Sequence, residues 1–353
     1  MRPGPSTVDL SGAVAVGARV DVWHGGRCIA SDVPCSGVVV EATTSRVVPS
    51  QVELTVPREL VPRQAHDPMA NYGQRLLVTS LLEVDGRPVE VNVGWYQVRE
   101  CDHEGKVVAD DLMQVVVEND MAWPSSPPAG ATLASELRRL AWGEVQGAGL
   151  PVVLEVPDRR IPRTFQWGHK RADAIRDLCS SYGLAYGVKP DGCLHVWDQP
   201  LTCRPVVHYS SGDLVVSAQR ETRPRVPNRW VVAGSPQGDE ATKWTSVTTN
   251  YTGEYTPALY GVVTDRREFN AATSFEAVRK AAETYKRNAL DAAGKVTLGL
   301  ALDPRLELGD DVTALVETDD GRVEAVAGRV VAVSMSLDDP GQPMRVDVKE
   351  MNA

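Results

Sequence analysis

The chain has 353 residues, 42% of them hydrophobic and 24% charged, with a formal net charge of −10. That length holds two or three ordinary domains, and the composition is that of a folded globular chain rather than a disordered one. No apolar run reaches the ~18 residues of a membrane span, the first twenty residues are too broken by Gly and Pro to be a signal peptide, and an acidic balance argues against a nucleic-acid grip, which needs clustered Lys and Arg.

From residue 18 to about residue 117 the pattern is mostly strand. "ARVDVW" and "QVELTV" alternate apolar and polar residues, with "SGVVVEATTSRV" between them. "RLLVTSLLEVDGRPVEVNVGWYQV" reads as two strands around Asp85-Gly86, a turn pair that tolerates positive φ. "RECDHEGKVVADDLMQVVVEND" repeats that design around Glu104-Gly105. Short strands separated by turn residues predict a sandwich or barrel. "MAWPSSPPAGAT" has linker composition. A helix then follows, with Thr132 as its cap, Leu133, Leu137 and Leu140 along one face, and Gly143 as its stop.

"LPVVLEV" is an apolar strand run, and "KRADAIRDLCSSYG" places Ala172, Ile175, Cys179 and Tyr182 at helical spacing, with Gly183 as terminator. "LAYGVKPDGCLHVWD" is a hairpin turning at residues 190–192. Helix and hairpin together form a small α+β unit. Residues 235–273 read as irregular. "SFEAVRKAAETYKRNALDAAG" is a clear helix over 274–293. Ser274 caps it, Phe275, Val278, Ala282, Tyr285 and Ala289 form its apolar stripe, Lys280, Arg287 and Asp291 are left to solvent, and Gly294 closes it. The stripe is expected on the C-terminal sheet. That sheet is read from "VTLGLAL", "VTALVE", "RVEAVAGRVVAVSMSL" and "MRVDVKE", with Asp320-Gly321 as one of its turns.

Motifs for chemistry are scarce. There is no H-E-x-x-H, no G-x-G-x-x-G after a strand and no G-x-S-x-G. The six cysteines have no C-x-x-C pairing, and Cys28 and Cys35 are the one pair that a hairpin could bring together. His195 shares a strand face with Trp197. "NYT" at Asn250 matches a glycosylation sequon, read as chance without a secretory signal.

The exception is "DPRLELGDDV", residues 303–312, where Asp303, Glu307, Asp310 and Asp311 crowd the strand residues Leu306, Leu308 and Val312. From residue 303 onward there are 12 acidic and 5 basic residues. A Ca²⁺ site, a catalytic carboxylate pair and a repelling surface all remain open at this point, although the D-x-D-x-D ladder of a dedicated calcium loop is missing.

Four phrases, taken in order, carry a resemblance. They are "VPCSGVVVEATTSRVVPSQVELTV", "YGQRLLVTSLLEVDGRPVEVNVGWYQVRECD", "TFQWGHKRADAIRDLCSSYGLAYGVKPDGCLHV", and an Ala-rich basic helix followed by "LDPRLELGDDVTALVE". The chain so ordered resembles the tail-hub, or baseplate-hub, proteins of long-tailed bacteriophages, of the minor tail type found in phages of actinobacteria.

The resemblance implies a mainly β fold with α+β insertions. Residues 1–17 form an N-terminal arm, 18–126 a first tube-like β-barrel domain, 127–215 an α+β accessory region, and 216–353 a second tube-like β domain with the packed helix 274–293. It implies a structural, non-enzymatic homotrimer: a ring at the tail tip that continues the tail tube, adapts sixfold to threefold symmetry and lets DNA pass. The implied partners are the distal tail or tail-tube protein, the tape-measure protein and other baseplate proteins. DNA is in passage only, there is no cofactor or metal and no membrane insertion, and assembly takes place in the host cytoplasm. No lysozyme-like, peptidase-like or carbohydrate-binding segment is appended, so a hydrolase or sugar-binding tail module is the alternative. On this reading Glu307, Asp310 and Asp311 face the lumen, where a basic surface would hold phosphates, and Asp310 and Asp311 stay solvated.

Overall fold

The computed structural model describes residues 1–142, 149–200, 202–210, 214–220, 226–234, 243–253, 255–268, 274–293, 295–317 and 322–351. The expected stops Gly143 and Gly294 and the turn Asp320-Gly321 lie outside the described residues, as does the Asp291 side chain. The chain forms two compact units, one of residues 1–218 with 298–353 and one of residues 219–297.

In the first unit a short helix α1 (Thr7–Ser11), closed by a capping box between Ser6 and Asp9, leads into β1 (Ala13–His24) and β2 (Arg27–Ala30). Then come β3 (Ser36–Thr43), β4 (Ser50–Thr55), a 3-10 turn at Arg58–Leu60, β5 (Arg75–Val84), β6 (Arg87–Cys101) and β7 (Lys106–Asp111). The β5–β6 turn has Asp85 at φ 50 and Gly86 at φ 74, the left-handed pair that the sequence required there.

Next follow α2 (Met113–Glu118), α3 (Leu133–Trp142), β8 (Val152–Leu154), α4 (Arg171–Ser181), β9 (Leu184–Val188), β10 (Leu194–Asp198), β11 (Val207–Tyr209) and β12 (Val215–Arg220). The second unit holds β13 (Arg229–Gly234), β14 (Trp244–Thr249), α5 (Pro257–Tyr260), β15 (Thr264–Glu268) and α6 (Phe275–Ala293). Four strands complete the chain: β16 (Lys295–Leu300), β17 (Asp311–Glu317), β18 (Val323–Ser336) and β19 (Met344–Glu350).

The fold is mainly β. Its large sheet runs β12-β16-β19-β18-β3-β4-β7-β6-β5-β1-β2, with β17 on β18 and β11 parallel to β17. Strands from both ends of the chain are therefore one sheet, joined where β18 pairs antiparallel with β3 over Ala332↔Thr43 to Ser336↔Val39. Alternation buries Val20, Val22, Val38, Val40, Val52, Leu54, Val330 and Val346. Each such side chain contributes about 1.5–3 kcal/mol on leaving water.

"MQVVVE", read as strand from its β-branched run, is the helix α2. The reason is local capping and tertiary burial: Asp111 Oδ1 accepts the Met113 N–H at 2.7 Å, while Met113 and Val116 enter the core of the accessory region. That core, with Leu137, Leu140, Ile175, Leu178 and Trp167, lies among α2, α3, α4 and the three-stranded sheet β8-β10-β9. The β9–β10 turn docks on β6, where Asn92 Nδ2 donates to the Pro190 carbonyl at 3.2 Å.

Asp111, at the end of β7, is buried, and burial pushes its carboxyl up to about 7, although the Met113 and Ser50 N–H groups pull the other way. A raised folded value means that the native state keeps a proton which the unfolded chain has released. Stability is thus expected to fall as pH rises from about 4 to about 7, by up to about 4 kcal/mol, and to be flat above. Urea unfolding of the parent minus that of Asp111→Asn, measured across this range, should show the decline; a flat difference would refute it.

In the second unit β13 pairs antiparallel with β14 and parallel with β15. Segment 235–273, read as irregular, thus contains β14, α5 and β15 among its described residues. Helix α6 packs on β13 and β14 rather than on the C-terminal strands: Val278 and Ala282 meet Val232, with Ala281, Tyr285 and Trp244 around them. Phe275, expected in the stripe, is half exposed, while Lys280 and Arg287 are exposed as expected. The apolar face of α6 was legible, but nothing in its own pattern says which sheet it meets.

Candidate functional site: the acidic segment 303–311

The segment "DPRLELGDD" joins β16 to β17 and is pinned by Leu306, which is buried. Gly309, at φ +86, makes the bend that the sequence showed. The carboxylates do not project into water. Asp303 is 0% exposed and takes a two-pronged bond from Arg305, Nε to Oδ1 at 2.8 Å and Nη2 to Oδ2 at 2.7 Å. Tyr209 donates its hydroxyl to Asp303 Oδ2 at 2.9 Å, and burial beside that carboxylate pushes the phenol far up.

Asp311 is 4% exposed. Facing it across the β17–β18 ladder is Arg329, whose Nε and Nη2 donate to its two oxygens at 2.7 and 3.2 Å, and the Arg204 amide adds a bond of 2.8 Å. Asp310, 9% exposed, accepts the Glu307 amide at 2.8 Å and the Met1 amino group at 2.6 Å. Burial pushes the Asp310 carboxyl up, with the amino group opposing. Glu307, partly exposed, lies 3.1 Å from that amino group and 3.8 Å from Arg2 Nε.

The N-terminal arm thus lies along the segment. Arg2 donates to the Val93, Pro304 and Leu306 carbonyls at 2.9, 3.0 and 2.7 Å, and Arg305 donates to the Pro5 carbonyl. One residue of β6 and two of the 303–310 segment share a single guanidinium.

The expectation that Asp310 and Asp311 stay solvated is therefore corrected. The structure brings Glu307, Asp310 and Asp311 into one place, but as the anionic half of a neutralised network rather than as free surface charge. Sequence reasoning missed the cations. Arg305 stood inside the quoted segment, two residues from its partner, whereas Arg329 and Arg2 become neighbours only through the sheet and the arm.

The same geometry bears on chemistry. Beside the segment is an open cleft of about 220 Å³ bordered by Trp197, Arg204, Gly309, Asp310, Asp311 and Arg329. Its acids Asp310 and Asp311 are already engaged by cations, the Met1 amino group and Arg329 respectively. Among the described residues, no group of three or more His, Cys, Asp or Glu could hold a metal ion, and all six cysteines are free thiols. His195, two residues from Trp197 on β10, is held between Glu155 (2.7 Å from Nδ1) and Asp191 (2.8 Å from Nε2). Asn250 of the sequon is buried and bonds the Thr252 and Tyr255 carbonyls.

No protein-family model matches the chain, and no curated protein matches it. Solved structures do. The tail protein from Neisseria meningitidis MC58 superposes with a TM-score of 0.59 at 15% identity, over 95% of this chain and 97% of that one. The 43 kDa tail protein of prophage MuSo2 from Shewanella oneidensis gives 0.57 at 14% identity, over 94% and 98%. Prophage tail protein gp18 from Listeria monocytogenes EGD-e gives 0.52 at 12% identity, over 96% of each. At such identities the likeness is one of fold, and it runs from end to end: this chain has the mainly β fold of bacterial tail and prophage tail proteins.

Proposed function

We propose that this chain is a structural hub protein of a phage tail tip, a homotrimer whose ring continues the tail tube, adapts it to a threefold tip and lets DNA pass without binding it. The observation that carries the reading is the end-to-end fold match to three tail proteins, each covered over nearly its whole length. Strands β1–β7 and β16–β19 supply the two tube-like halves of each subunit, and the seam between β3 and β18 sets them in one sheet. Neighbours in such a tip are the tail-tube or distal tail protein, the tape-measure protein and other baseplate chains, and the working location is the virion.

The role is mechanical rather than enzymatic. A hydrolase would need a free carboxylate pair in an open cleft, and in the cleft beside β17 Asp310 and Asp311 already have their cations.

Electron microscopy of the purified protein at high concentration, with sedimentation in parallel, tests the assignment. Threefold rings with a central hole are the expected result. Monomers at every concentration, together with absence of the chain from tail tips, would sink it.

A further inference from the structure

The accessory region carries a loop whose charge runs against the rest of the chain. Residues 157–171 contain five basic residues and one acidic one, in a chain of net charge −10. Arg159, Arg160, Arg163, His169 and Lys170 are exposed, while Ile161 and Trp167 point inward and are buried. The one acid, Asp158, is spent on backbone, accepting the Ala134 and Arg159 amides at 2.9 and 3.0 Å. Arg159 lies over the Tyr182 ring at 4.7 Å. Among the described residues, the Arg160, Arg163 and Lys170 side chains make no ion pair and no hydrogen bond.

The loop is also held firmly. Its backbone is stitched to the linker and to α3 by Leu133 N–H to the Arg159 carbonyl (2.8 Å), Ile161 N–H to the Ala131 carbonyl (3.0 Å) and the reciprocal Ser125–Trp167 pair (2.8 and 3.1 Å). Trp167 Nε1 donates to the buried Glu136 at 2.7 Å. Cations carried on so fixed a backbone lose little further backbone freedom when a partner arrives, which is the condition for a useful contact.

We infer that this loop is a docking surface for a second copy of this chain, which is acidic outside the loop. The inference rests on the ring reading above and assigns the residues that would hold the ring together. Charge complementarity selects the occupant. Copies at −10 repel one another, so association needs local attraction, and the loop, at +4, offers it to the remainder of a second copy, whose formal charge is −14. The sign also selects the geometry. A patch of one sign repels itself in a two-fold, self-complementary contact, and it attracts a different face in a head-to-tail contact, the kind that closes into rings.

The test is sedimentation of the full chain with two charge-matched double variants. Arg160→Glu with Arg163→Glu reverses the loop, and Lys280→Glu with Arg287→Glu makes the same net change on the exposed side of α6. Melting curves check that each is folded. The parent should assemble at about 50 mM salt and dissociate towards about 300 mM, where the Debye length falls well below 10 Å. The loop variant should lose about a hundredfold in association constant, as like charges then face each other, and the α6 variant should stay close to the parent.

Equal assembly of the two variants would overturn the loop assignment while leaving the ring reading standing. A parent that stays monomeric at every salt and concentration would overturn the contact between copies, and would overturn the ring reading as well only if the chain is also absent from tail tips. Retention on heparin that only the loop variant loses, with assembly unchanged, would give the loop to a polyanion and would likewise overturn the contact between copies.

Discussion

Replacing Asp311 with alanine is expected to cost about 3–5 kcal/mol of unfolding free energy, the loss typical of a buried ion pair broken from one side. The carboxylate is 4% exposed, and Arg329 reaches both of its oxygens from the facing strand. A guanidinium cannot shed its proton to escape. In the variant Arg329 keeps only its bond to the Pro200 carbonyl, and the Arg204 amide loses its acceptor as well. The double variant Asp311→Ala, Arg329→Met should recover much of the loss, because a buried pair is worth little against apolar groups of similar volume. Denaturant titration of the cycle measures this. A loss below about 0.5 kcal/mol for Asp311→Ala, the range of ordinary surface positions, would show that the pair is wet after all. The same logic forbids Lys at both 310 and 311, a change that a solvated acid cluster would tolerate.

The second large effect is expected at Trp167. It is among the bulkiest side chains in the accessory core, stacked on Phe165 at 5.0 Å and bonded to Glu136 through Nε1. Trp167→Ala should cost about 3–5 kcal/mol, the usual loss for deleting a large aromatic group from a core. Trp167→Phe keeps an aromatic ring in the site while removing the N–H and part of the bicycle, so it should cost less than the alanine change, about 1–3 kcal/mol, chiefly the penalty for stripping a partner from a buried charged acceptor. Arg139 continues to hold Glu136 in both variants, which keeps the charge paired. Chemical unfolding that put the alanine variant within about 1 kcal/mol of the parent would mean that the packing around this ring had been misjudged.

These two sites also show what a sequence can and cannot disclose. Local rules reached the Asp85-Gly86 turn, the apolar faces of α4 and α6, and the bend at Gly309, because each depends on residues within a few positions of one another. They failed where partners are distant. Helix α2 sits in a valine run that favours strand, and only its packing in the accessory core makes it helical. At the acidic segment the anions were evident and the outcome was not. Charge density along a chain says nothing of whether Arg329 will stand opposite Asp311, and that is fixed by the β17–β18 register. The order of elements carried the fold further than any single motif, since no motif was specific.

The seam between β3 and β18 has a consequence for how the protein is made. It ties the Val38 amide to Asp338, 300 residues apart in sequence. At the usual 5–20 residues per second, a ribosome needs about 15–60 s between emitting the two strands. For that time β3 has β4 beside it but no neighbour on its other flank, an open edge of the kind that recruits stray strands. Birth of the early half and closure of the sheet are therefore separate events, and the nascent chain must stay clear of its siblings in the interval.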